Sequence, residues 1–159
     1  MIRAVGTDLV DVTRLEGYMD RVPGLRERLF TPVELAACRQ RAASLGARLA
    51  AKEAVLKALG SAYAELGLDA PQGWEYQDIE VTSTPGTPPR LRLTGAAAMA
   101  ARQAGIGHWH ISLAHDGGMA QAFVVAQADH VDNDDDLTLS SQRSQARTKQ
   151  QIRSLRPAL

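Results

Sequence analysis

Two pairs of short alternating segments, each closed by a tight turn, do most to limit how this chain can fold. Residues 78–83 alternate with Ile79 and Val81 on one side, and Pro85-Gly86-Thr87-Pro88-Pro89 turns them into residues 90–93. Residues 108–114 alternate again, and Asp116-Gly117-Gly118 leads into a strand over 120–126. Period-two apolar patterns joined by Gly/Pro clusters read as hairpins. Residues 2–9 form an apolar run containing Gly6 and read as a buried first strand. Helical spacing relates Val12, Leu15, Met19 and Val22 before Pro23-Gly24 interrupts. Thr31-Pro32-Val33-Glu34 carries a capping box with proline at the first helical position. A further helix after Ser44 carries Leu45, Leu49, Val55, Leu56 and Leu59, with Gly60 as its expected stop, and residues 61–76 read as loop. Thr94 is expected to cap an alanine-rich helix ending at Gly105. Strand, helices, two strands, helix, two strands is the order of an α+β fold with mainly antiparallel sheet.

Aromatic residues make up only 4% of the 159, so Ala, Leu and Val must build the core. Past residue 128 apolar residues thin out, and the acids Asp129, Asp132, Asp134, Asp135 and Asp136 precede the bases Arg143, Arg147, Lys149, Arg153 and Arg156. Such a segment buries too little to offset its ordering entropy. The division expected is a domain over 1–127 and a flexible polar tail over 128–159, dispensable for chemistry. Eighteen basic residues balance eighteen acidic ones, which argues against a nucleic-acid partner. No apolar stretch approaches the roughly 20 residues that cross a bilayer. Asp8 and Asp11 interrupt the only early apolar run, so no secretory leader is expected. One cysteine, Cys38, fits a reducing compartment, and a cytoplasmic protein is expected.

Asp8 ends the first strand just after Gly6-Thr7. It reads either as a solvated strand-end acid or as a ligand for a hard cation such as Mg²⁺. On one helix, Arg48 and Lys52 stand four apart, as do Glu53 and Lys57, so each pair lies side by side. Alanines beside them leave the surface low, open to a ligand or another backbone. Glu53 could complete a carboxylate pair and Lys57 could meet phosphate oxygens, although taken alone this stretch reads mostly as a solvated face of ordinary ion pairs. His110, Ser112 and Ala114 share one face of a strand and His115 falls on the other or in the turn, so a Ser/His nucleophile pair is poorly supported. His108, His110, His115 and Cys38 lack zinc-ligand spacing. Arg14, Tyr18 and Arg21 share a helical face suited to an acidic protein partner, or simply to solvent.

The order of these features is more specific than any one of them. Gly6-Thr7-Asp8-Leu9-Val10 followed by Arg14, then Phe30-Thr31-Pro32-Val33-Glu34, then Arg48-Leu49-Ala50-Ala51-Lys52-Glu53-Ala54 with Lys57 and Gly60, then His110-Ile111-Ser112-Leu113-Ala114-His115, resembles the holo-[acyl-carrier-protein] synthase family. These are the small 4′-phosphopantetheinyl transferases, and the match spans residues 1 to about 127. The resemblance implies an α+β fold and transfer of the phosphopantetheine arm of coenzyme A to a serine of apo acyl carrier protein. Adenosine 3′,5′-bisphosphate is the by-product, and the pathway is fatty-acid or polyketide biosynthesis. It implies that Asp8 and Glu53 hold Mg²⁺ and that Glu53 and Lys57 are catalytic, with Glu53 or a water on the metal as base. It implies that Arg48, Lys57 and His115 face the coenzyme, that Arg14 and Arg21 meet the carrier protein, and that the protein is a homotrimer with sites between subunits. The tail and the 61–74 loop depart from the compact family pattern. Two other classes compete: a Mg²⁺-dependent phosphate-ester hydrolase using the same acids, and a non-catalytic module that holds a carrier protein.

Overall fold

The computed structural model describes residues 1–39, 41–84 and 86–129, and the expected tail lies outside the described residues apart from its first two positions. The chain order is β1 (Ile2–Asp11), α1 (Val12–Arg21), α2 (Leu25–Leu29), α3 (Pro32–Cys38), α4 (Ala42–Glu65), a 3₁₀ turn (Tyr76–Asp78), β2 (Ile79–Thr82), β3 (Arg90–Leu93), α5 (Gly95–Gln103), β4 (Ile106–Asp116) and β5 (Met119–Ala128). β1, β5 and β4 form one sheet in that order, β2 and β3 a second, and every pairing is antiparallel. The α+β architecture expected from the hairpins is the one observed.

α4 lies across one face of the three-stranded sheet, and the contact between them is built from small residues. Ala50, Ala51, Ala54, Ala58, Ala122 and Ala126 are all buried there or beside it, with Val55 and Val124. A Cβ at Gly6 would collide with the carbonyl of Ala54, so β1 and α4 meet backbone to backbone. Alanine therefore substitutes for the missing aromatics by shortening distances rather than filling space. The register places Ala4, Gly6, Asp8 and Val10 opposite Ala126, Val124, Ala122 and Ala120, and these residues face α4. Val5 and Leu9 point the other way and, with Phe123, stay about half exposed (52%, 56% and 47%).

β1 runs on to Asp11, so Asp8 lies within the strand rather than at its end, and the expected end of α4 moves as well. α4 runs through Gly60 to Glu65, because Ala62 and Tyr63 supply a further buried turn that outweighs the glycine's poor propensity. Gly67, at φ +68°, ends it instead: its N–H bonds to Ala64 O and that of Leu68 to Tyr63 O, the paired bonds of a Schellman stop. Thr94 occupies the N-cap of α5 without a side-chain bond. Asp78 takes that role, accepting from Ala96 N at 3.2 Å. The Thr31–Glu34 capping box forms as expected.

Candidate active site

Glu34 does more than cap α3. Its Oε2 accepts from Thr31 N at 2.9 Å and meets Lys52 Nζ at 2.7 Å, while Oε1 accepts from Val81 N at 2.9 Å. Both side chains of the Glu34–Lys52 pair are wholly buried. Arg48 and Lys52 thus belong to the interior, which corrects the reading of their face as solvated. The period of α4 conceals this, since charges on a buried face count as polar in any amphipathic pattern. Burial pulls Lys52 below the usual lysine range, against the pull of Glu34. Lys52 spends another hydrogen on the carbonyl of Tyr76 at 2.9 Å, which anchors the 3₁₀ turn to α4.

The side chain of Tyr76 then reaches across to Glu53, its hydroxyl donating to Oε1. Burial, the bond to Glu53 and the negative charges of Glu53 and Asp8 push this phenol well above the usual tyrosine range, so it stays a donor. On the other flank, Lys57 Nζ lies 2.7 Å from Asp8 Oδ1 and 3.2 Å from Thr7 O. Gly6 permits this approach, because the bare contact at Ala54 lets α4 bring Lys57 down beside Asp8, with Glu53 one turn earlier on the same helix. The cluster holds two carboxylates against one ammonium, leaving one negative charge and hard oxygen donors at an accessible edge. That donor set fits a divalent cation such as Mg²⁺ shared with phosphate oxygens. Among the described residues no group of three or more His, Cys, Asp and Glu could hold a metal by protein ligands alone. Tyr76 is the member that sequence reasoning missed, and an aromatic in a Gly/Pro-flanked stretch carries no signal of its own.

Arg48 lies next to this cluster rather than in it. Its guanidinium donates to Ser44 O at 3.2 Å and Ser83 Oγ at 2.8 Å, and its Nε is buried without a partner among the described residues. Ser83 lines an open cleft of about 740 Å³ together with Ala36, Ala37, Arg39, Arg41 and Thr84. Arg39 closes α3 in the left-handed region at φ +48°. This cationic cleft was not anticipated, because the arginines lie in a short connection between two helices.

His115 is not brought to the cluster. It pairs with Ala120 at the hairpin end of β4, with β5 standing between it and β1. Two strand spacings and two residues separate it from Asp8, roughly 12 Å of backbone. His110 and Ser112 face the opposite side of the sheet, as their spacing requires, and His110 Nε2 lies 2.8 Å from Gln127 Oε1. Arg14 and Arg21 are exposed on α1, whose Val12, Leu15 and Met19 are buried. Arg21 stacks over the Tyr18 ring at 5.3 Å.

Comparison with known proteins adds the chemistry. Residues 4–128 match the family model described as the 4′-phosphopantetheinyl transferase superfamily. The holo-[acyl-carrier-protein] synthase of Frankia alni is 47% identical over 124 residues, covering 78% of this chain and 96% of that protein. The solved structure of the Helicobacter pylori holo-[acyl-carrier-protein] synthase in complex with coenzyme A is similar at TM-score 0.63 and 26% identity. It covers 77% of this chain and 99% of that one. A Bacillus anthracis holo-(acyl-carrier-protein) synthase in complex with CoA (3′,5′-ADP) is similar at TM-score 0.60 and 25% identity, covering 81% and 99%.

Proposed function

The chain belongs to the 4′-phosphopantetheinyl transferase superfamily, and from that membership we propose that it loads acyl carrier protein from coenzyme A in fatty-acid or polyketide synthesis. The serine oxygen of an apo carrier attacks the phosphorus bearing the pantetheine arm. The bond from that phosphorus to the bridging oxygen breaks, adenosine 3′,5′-bisphosphate leaves, and the serine proton goes to a base. The observation that supports this reading is the Lys57–Asp8 pair at 2.7 Å beside the bare Gly6–Ala54 contact, with Tyr76 bonded to Glu53 and within reach of the charge of Asp8.

Asp8 and Glu53 are the residues that would hold Mg²⁺, which would neutralise charge on the pyrophosphate. Lys57, half exposed and already turned toward Asp8, donates to phosphate oxygens as charge builds on the leaving bisphosphate. Tyr76 fixes one oxygen of Glu53, leaving the second free to serve the metal or take the serine proton. The cleft beside Arg48, with Arg39 and Arg41, suits the dianionic 3′-phosphate of the coenzyme.

Arg14 and Arg21 suit an acidic carrier helix. The half-exposed Val5, Leu9 and Phe123 favour a homotrimer joined through the outer sheet face, in which His115 serves a coenzyme bound chiefly by a neighbouring subunit. Among the described residues no helix is long and apolar enough to cross a membrane, and a cytoplasmic setting accords with the buried free thiol of Cys38.

The test is intact-mass spectrometry of an apo carrier protein incubated with this chain, coenzyme A and Mg²⁺. A gain of one phosphopantetheine, abolished by EDTA and by a Ser→Ala carrier, is the expected result. No gain with several functional carriers, together with coenzyme A breakdown in their absence, would replace the transferase by a phosphate-ester hydrolase. Carrier binding without either reaction would leave a non-catalytic module.

A further inference from the structure

Tyr76 is gripped at both ends by neighbouring residues of α4. Its carbonyl accepts from Lys52 Nζ at 2.9 Å, and its hydroxyl donates to Glu53 Oε1. Consecutive helical residues project about 100° apart. Lys52 accordingly enters the interior with none of its side chain exposed, while Glu53 keeps partial access to solvent. The backbone and ring of Tyr76 bridge these two directions. Where one oxygen of Glu53 rests therefore depends on where Lys52 holds the connecting segment.

Lys52 is itself fixed by elements outside the cluster. Glu34 of α3 meets its ammonium at 2.7 Å, and Val81 of β2 donates to the other oxygen of Glu34. The Phe30 ring centroid lies 5.7 Å from Nζ. A buried ion pair often contributes little beyond its own desolvation, and apolar residues of similar volume would serve a core as well. What an apolar side chain cannot supply is a donor for the Tyr76 carbonyl. The other residues of the turn are tied elsewhere: Gln77 Nε2 donates to Glu27 O of α2, and Asp78 O accepts from Thr94 N at 2.8 Å. Ile79 N closes the turn on the Tyr76 carbonyl, leaving Lys52 as the bond that joins this carbonyl to α4.

We propose that Lys52 is a positioning residue for the metal-binding carboxylate, setting through the Tyr76 backbone where the Tyr76 hydroxyl meets Glu53. This rests on the transferase reading, in which Asp8 and Glu53 would hold Mg²⁺. Lys52 then governs affinity for the cation without touching cation or substrate.

Calorimetric titration of Mg²⁺ into the chain saturated with coenzyme A, without carrier protein, tests it away from turnover. Glu34→Gln keeps the Lys52 donor to Tyr76 whereas Lys52→Met removes it, and either change disrupts the ion pair. Lys52→Met should weaken Mg²⁺ by about tenfold, and Glu34→Gln should leave it within about twofold. Should Lys52→Met fail to fold, Glu34→Gln combined with Lys52→Met loses the same donor without stranding a charge. In a Tyr76→Phe background, replacing Lys52 should weaken Mg²⁺ no further, since the hydroxyl it places is already gone. Equal weakening by Glu34→Gln and Lys52→Met would make the pair structural only and overturns the assignment. So does unchanged Mg²⁺ affinity in the Lys52 variants, or a full additional loss in the Tyr76→Phe background. An unsubstituted chain that binds coenzyme A but no Mg²⁺ overturns the metal reading of Asp8 and Glu53 along with it. One that binds no coenzyme A overturns the transferase reading.

Discussion

The Lys52 ammonium and the Glu34 carboxylate stand 2.7 Å apart with neither side chain exposed; Glu34 also accepts from Thr31 N at the cap of its own helix and from Val81 N, and Lys52 donates to Tyr76 O. Breaking such a pair strands a charge in the interior. Lys52→Met should cost about 3–5 kcal/mol in urea unfolding, and Lys52→Met with Glu34→Gln should cost less than the sum of the two single changes. Strict additivity would show that the pair is not coupled.

Tyr76→Phe removes the hydroxyl that fixes Glu53 and leaves the ring in place. Groups that orient a metal-binding carboxylate commonly change metal affinity by about tenfold or more. The Mg²⁺ concentration for half-maximal transfer should rise by about that factor while the unfolding midpoint holds. An unchanged Mg²⁺ requirement would reduce Tyr76 to packing.

Gly6→Ala and Gly60→Ala should move stability in opposite directions. A Cβ at position 6 meets the Ala54 carbonyl, and the expected loss is about 3 kcal/mol, accompanied by loss of transfer. At position 60 a Cβ meets nothing within 4 Å, and a helical alanine should gain about 0.5–1 kcal/mol. Thermal or urea midpoints decide both.

Glu80 supplies a pH dependence. Burial pushes its carboxyl up, but the hydrogen bond from Thr31 at 2.7 Å and the Arg92 guanidinium at 2.8 Å outweigh this and hold it below the usual glutamate range. A carboxyl lowered in the folded state stabilises above its unfolded pKa and loses that contribution as pH falls through the folded value. Stability should therefore drop as the pH falls below the ordinary glutamate range, and Arg92→Leu should shrink the drop. Denaturant midpoints across that range check it, and an equal drop in the variant would remove Arg92 from the account.

Arg14→Glu and Arg21→Glu should raise the KM for carrier protein by about tenfold, more at low salt than at high, with coenzyme A affinity unchanged. A parallel loss of both would mean damage to α1 rather than to a docking surface.

Much of the fold was legible because hairpins, the capping box and helical spacing are local signals, each complete within a few residues. Asp8 and Glu53 stood out only through the order of the motifs around them, since each alone reads more readily as an ordinary solvated acid, and Asp8 lies within β1 rather than at its end. What stayed hidden depends on partners far along the chain. Glu34 read as a cap, yet Lys52 and Val81 complete its surroundings. Gly60 read as a stop, but the buried Ala62 and Tyr63 carry the helix on. Tyr76 and the Arg39–Arg41 cleft become visible only when a connecting segment is folded against α4.

The joint between β1 and α4 has a thermal consequence. Where two backbones touch through glycine and alanine, no rotamer can switch and no side chain can repack on warming. The spacing of Asp8 and Glu53 is then inherited from hydrogen-bonded backbone, whose expansion is small until the whole unit melts. Activity in such a site should follow temperature smoothly and end abruptly, without the gradual loosening expected of carboxylates held apart by long, adjustable side chains.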